Sequence, residues 1–179
     1  DAQIDAQWQV HVAAPLRITR AAMPLLQQSR GQVMFVGSGV ARVPLPYYGA
    51  YCTAKAAIRA ASVQLRRELR PKRVAVTYVD PGSVRTNFSA RLGIHSYGPG
   101  WLQATAPRVA KAIVRAIETR PARVNAVPTH TIGAVIGEWL GSLLDGSFPQ
   151  HAAPAAPSAQ PAAPAAQAVS YTHLRAHET

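Results

Sequence analysis

Two short runs of β-forming residues, QVMFVGS (32–38) and RVAVTYV (73–79), constrain this chain more than any other feature. Both are apolar at successive rather than alternate positions, so each expects cover on both faces. The stretch between them reads as one long helix over 48–70, ended by Pro71. A helical crossover between two such strands implies parallel pairing with a right-handed connection. A third, shorter strand is expected at RVNAVPT (123–129). Before it, Pro107 starts a helix with Thr105 placed to cap it and Val109, Ala110, Ile113, Val114 and Ile117 facing inward. At the front, residues 4–29 form a helix whose Trp8, Val12, Leu16, Thr19, Met23 and Leu26 share a stripe, stopped by Gly31. Helices alternating with strands predict an α/β fold: a narrow parallel sheet covered on both faces, with one edge unprotected.

A chain of 179 residues is long enough for one domain with a real core. The expected organisation is a folded domain over 1–148, a Pro/Ala-rich linker over 149–168 that cannot bury a core, and a foreign tail. That tail, VSYTHLRAHET (169–179), reads as a translated transposase-type sequencing adapter, so His173 and His177 are set aside as ligands. The chain opens without methionine, in what reads as the middle of a helix. A single cysteine excludes an intramolecular disulfide framework and fits a reducing, cytoplasmic setting. No metal site is expected.

The formal charge of +11 raises the question of nucleic acid. Most arginines are scattered, and the one cluster, RRELRPKR (66–73), lies where a helix ends, where cations complement the helix dipole. No basic stripe interleaved with aromatics accompanies it, so no nucleic-acid partner is expected. The apolar segment IGAVIGEWLGSLL (132–144) is too short to cross a bilayer and reads as a docking or dimer helix.

The chemistry lies in YCTAK (51–55). Four residues along a helix place Tyr51 and Lys55 on one face. Ligands of such sheets bind beyond the carboxyl ends of the strands. Ser38 ends the first strand there, Pro81 and Gly82 follow the second, and Tyr51 and Lys55 open the helix that starts at the same rim. Taken singly, these are a buried aromatic, a surface cation and a turn serine. Together they make a constellation.

Three stretches, VHVAAPLRITRAAMPLL, GQVMFVGSGVARVPLPYYGAYCTAKAAI and VAVTYVDPGSVRT, resemble the short-chain dehydrogenases/reductases in order and interval, over about residues 5–130. The resemblance implies a partial Rossmann-type doubly wound parallel sheet, the carboxy-terminal half of that fold. It implies an NAD(P)-dependent oxidoreductase moving hydride between a nicotinamide cofactor, NAD or NADP, and a carbonyl or secondary alcohol. Tyr51 would be the general acid/base, and Lys55 would lower its pKa and hold the nicotinamide ribose. Ser38 would orient the substrate oxygen, while Pro81, Gly82, Val84 and Thr86 would hold the carboxamide. A homo-oligomer is also implied.

Two departures stand out. Where many relatives carry an asparagine in a proton relay, this chain has His11, which could relay protons as a neutral imidazole or merely satisfy backbone. The glycine-rich TGxxxGxG turn, the selector of NAD against NADP and the NNAG segment are absent. The chain is therefore expected to be part of a longer protein and inactive alone. The alternative is a non-catalytic relative serving as a binding or regulatory module. Residues 88–104, with Phe88, Tyr97 and Trp101, are expected to set the substrate as a lid, or else to be a plain surface loop.

Overall fold

A computed structural model describes residues 2–45, 48–85 and 103–140. Thr86, most of the expected substrate segment and everything from residue 141 onward lie outside the described residues. The chain divides into two units, Asp1–Pro149 and Gln150–Thr179, and the sheet with its helices belongs to the first.

Helix α1 (Ala2–Trp8) runs through one π turn (Gln9–Ala13) into α2 (Ala14–Ser29). Strand β1 (Gln32–Val36) follows, then a 3₁₀ turn (Gly39–Ala41) and the long helix α3 (Gly49–Leu69). After β2 (Ala75–Asp80) come α4 (Ala106–Thr119), β3 (Arg123–Asn125) and α5 (Pro128–Trp139). The three strands lie in the order β1-β2-β3, all parallel, with Gln32 opposite Ala75 and Tyr78 opposite Arg123. The α/β class and the parallel sheet are as the sequence predicts.

The core forms where α3 crosses the sheet. Phe35, Ile58, Leu69, Val74, Val76 and Tyr78 are buried together, flanked by Leu16, Met23 and Leu26 from α2. On the other side of β2, Thr77 is fully buried and would be costly if unpaired. Its hydroxyl donates to the Pro121 carbonyl and accepts from Gln32 Nε2 at 2.7 Å. The same Gln32 nitrogen donates to the Ala116 carbonyl at 3.1 Å, tying α4 to the start of β1.

Three local expectations are revised. The first helix is not continuous α: Pro15 has no N–H to offer the His11 carbonyl, and Ala14 N–H bonds back to the Gln9 carbonyl in the wider π pattern. Its stripe faces inward as expected, except Trp8, which is 46% exposed. The buried face of α4 is rotated by about one position. Val109, Ala112, Ile113 and the buried Ala116 face in, while Val114 and Ile117 stay more than half exposed. Small Ala112 and Ala116 allow close approach to the sheet, which the larger side chains one position on would prevent. Thr105 stands at the N-cap of α4 but makes no side-chain capping bond.

This packing separates two substitutions that the sequence pattern treats alike. Ile58→Ala, at a residue 2% exposed, should destabilise by about 2–5 kcal/mol in denaturant unfolding. Val114→Ala should stay within about 0.5 kcal/mol.

Candidate active site

The carboxyl ends of β1 and β2 form the rim at which the sequence-predicted residues meet. Beyond Val36 the ladder continues for one more bond, Gly37 N–H to the Val79 carbonyl at 2.8 Å. Ser38 is then fully extended (φ −164°, ψ 155°), and its Oγ accepts from Val40 N at 3.4 Å as the chain turns into the 3₁₀ segment.

Helix α3 begins at this rim, which brings Tyr51 and Lys55 there in its first two turns. The Ser38 side chain lies close enough to the Tyr51 phenol to act on its protonation. Lys55 Nζ donates to the Val36 carbonyl at 3.1 Å and lies 5.6 Å from the centre of the Tyr51 ring, within cation–π range. His11, on the π turn, meets the Tyr51 ring edge-on with centroids 5.3 Å apart. Three side chains from three separate elements thus converge around one phenol.

Burial dominates the electrostatics. It pushes the Tyr51 pKa above the ordinary tyrosine value, against the opposing hydrogen bond from Ser38, with the neighbouring Cys52 adding to the rise. The net direction is opposite to the lowering expected from Lys55. Burial also lowers the Lys55 ammonium. It lowers His11 as well, and the Lys55 charge acts in the same direction. Each of the three groups is biased toward its neutral form.

Pro81 and Gly82 follow β2 on the strand next to Ser38. Gly82 takes a left-handed φ of 67°, where a side chain would be strained, and its N–H is held by Asp80 Oδ1 at 3.1 Å. Val84 forms a parallel bridge with Ala104, through Arg85 N–H to the Ala104 carbonyl and Ala104 N–H to the Ser83 carbonyl. Thr86 lies outside the described residues.

Sequence reasoning missed a buried polar group beneath this rim. Asp80 is 5% exposed and pairs with Arg123 Nη2 at 3.4 Å. Arg123 Nε donates to Asn125 Oδ1 at 2.9 Å, and its guanidinium lies 6.0 Å from the Tyr78 ring centre. The Asp-Pro-Gly order is a legible sign of an Asx turn, whereas nothing in the sequence pairs Asp80 with an arginine 43 residues on. Among the described residues no cluster of metal-ligating side chains occurs.

Known proteins are similar to this chain. The family model described as short chain dehydrogenase matches residues 1–95. An 11-beta-hydroxysteroid dehydrogenase-like 3 of Arabidopsis thaliana is 38% identical over 101 residues, 56% of this chain and 32% of that protein. A 3-amino-tetrahydro-pyrrolizinone reductase of Xenorhabdus hominickii is 36% identical over 80 residues, 45% of this chain and 28% of its own length. The chain thus spans about a third or less of these relatives. Among solved structures, a short chain dehydrogenase from Burkholderia cenocepacia in complex with NADP superposes with a TM-score of 0.68 at 25% identity, over 83% of this chain and 62% of that one. With the strand-end serine, the YxxxK helix and the Pro-Gly loop in place on this sheet, the chain belongs to the short chain dehydrogenase family.

Proposed function

We propose that this chain carries the catalytic half of an NAD(P)-dependent oxidoreductase acting on a carbonyl or secondary alcohol. The observation that carries the reading is the convergence on Tyr51, with Lys55 Nζ against its ring, His11 at its edge and Ser38 beside its hydroxyl. The residues present suit a nicotinamide nucleoside. Lys55 Nζ and the Tyr51 hydroxyl are donors for ribose hydroxyls, and the loop at Pro81, Gly82 and Val84, with Thr86 after it, offers backbone to a carboxamide. The complexes with NADP and with NADPH among the structural relatives support a nicotinamide cofactor without deciding between NAD and NADP. When bound, such a cofactor supplies or accepts the hydride.

The chain's own residues do the rest. Ser38 Oγ and Tyr51 Oη offer two hydroxyls to one substrate oxygen and so orient it. Tyr51, kept protonated by burial, gives its proton to that oxygen as negative charge develops there. Lys55, anchored on the Val36 carbonyl, holds positive charge near the phenol and limits the penalty when the proton leaves. His11, biased to the neutral imidazole, can accept and donate, and so return a proton from solvent to the Lys55–Tyr51 pair.

The test is nicotinamide-linked reduction of a panel of ketones and aldehydes by the protein expressed from its whole gene. Tyr51→Phe should lower kcat by roughly a hundred- to ten-thousand-fold while the fold is retained. Unchanged function in that variant would point to a non-catalytic binding module instead.

His11 yields a separate expectation. Its folded pKa is depressed below about 6.5, so on acidification the unfolded chain takes up the proton first. The stability contribution is therefore full above that pH and is lost as pH falls toward the folded value. His11→Asn should flatten this acid limb in melting temperature against pH. If His11 relays protons, His11→Leu should lower kcat, by about tenfold or more, and His11→Asn should recover part of the loss.

A further inference from the structure

We propose that Tyr78 is a positioning residue for Ser38, and that Gly37 is glycine in order to admit it. The inference rests on the catalytic reading of Ser38 given above, and its structural half can be tested apart from that reading.

Ser38 leaves the sheet at the point where its backbone partners run out. The last ladder bond on β1 is made by Gly37, and Ser38 is still extended. The Tyr78 phenol takes over there. Its Oη accepts from Ser38 N–H at 3.3 Å and donates to the Ser38 carbonyl at 3.5 Å. One side-chain hydroxyl thus serves both backbone groups of the residue proposed to orient the substrate oxygen. Tyr78 is 5% exposed, with its ring in the core cluster and its polar end at the rim. A ring anchored in the core is a stiff support for a hydroxyl.

Gly37 explains how the phenol reaches that place. A Cβ built on Gly37 would lie 1.9 Å from Tyr78 Oη, 2.1 Å from Cζ and 2.4 Å from Cε2. No side chain fits there while Tyr78 keeps its position, since real Cβ contacts essentially never fall below 3.0 Å. The need is for space alone, as Gly37 is not among the residues with left-handed φ. The two positions are therefore coupled. A larger residue at 37 requires a smaller one at 78, and that exchange removes the support of Ser38.

The experiment uses the protein expressed from its whole gene, with Tyr78→Phe, Gly37→Ala, Tyr78→Ala and the double variant G37A/Y78A. Tyr78→Phe keeps the ring and removes only Oη. Hydrogen exchange at the Ser38 amide should accelerate about tenfold in Tyr78→Phe, the scale of one hydrogen bond, with the amides of β2 unchanged. In the same variant kcat should fall about tenfold while the KM for the nicotinamide cofactor holds, a split that loss of core packing does not produce. Gly37→Ala should lower the melting temperature when Tyr78 is present and much less in the Tyr78→Ala background. An unmoved Ser38 amide in Tyr78→Phe, or a Gly37→Ala effect of equal size in both backgrounds, overturns the contact. A faster amide with unchanged kcat overturns the positioning role, provided Tyr51→Phe abolishes activity. If Tyr51→Phe too is silent, the oxidoreductase reading has failed, and the exchange and double-variant results still decide the contact.

Discussion

The parallel pairing of β1 with β2 is the constraint on which the rest of the structure depends. Its register, from Gln32 opposite Ala75 to Val36 opposite Val79, sets where both strands stop. Ser38 and Pro81–Gly82 then emerge side by side at one edge. Because the connection is a crossover helix, α3 must start again at that edge, and its first turns deliver Tyr51 and Lys55 to the end of β1. The Lys55 bond to the Val36 carbonyl closes the arrangement, joining the helix that carries the phenol to the strand that carries the serine. A slip of one residue in this pairing would turn Ser38 to the opposite face and undo the site without disturbing composition.

Strand β2 carries a second division of labour, and the two-residue period of a strand produces it. Thr77 points to one side and fastens β1, the segment before β3 and α4 through Gln32 and Pro121. Tyr78 and Asp80 point to the other side and serve the rim, one at Ser38 and one at Gly82. Polar groups buried in a sheet are tolerated only when each finds a partner. Here the partners are the turns that the site needs held, so satisfying the core and shaping the site are the same act.

The fold class, the parallel crossover and the placement of Ser38, Tyr51 and Lys55 are legible in the sequence, because these follow from local periodicity and strand ends. His11 is legible as a residue but not as one carried on a π turn, although Pro15 four residues on is the signal for a missing helical bond. The true face of α4 is not legible, since a pattern of large apolar residues does not reveal that two alanines set the approach distance. Tyr78 is hidden for another reason. In an apolar strand a tyrosine reads as core, and only the register, which sets it beside Phe35 and so close to Gly37, shows where its hydroxyl goes.

Part of the basic composition is placed by the helix ends. At the carboxyl edge, burial biases His11, Tyr51 and Lys55 toward their neutral forms. At the amino edge the helices end, since helices in such folds run against the strands they cover. Their exposed carbonyls and dipoles favour cations there. Arg30 and Arg120 hold the C-cap positions of α2 and α4, and Arg73 precedes β2, all three with left-handed φ between 49° and 58°. Glycine adopts that conformation at lower cost. Arginine is tolerated there because its charge sits at the negative end of a helix and its side chain can bond across the edge, as Arg120 Nη1 does to the Arg30 carbonyl at 2.7 Å. These three arginines of the +11 chain thus lie at the edge opposite Ser38, Tyr51 and Lys55.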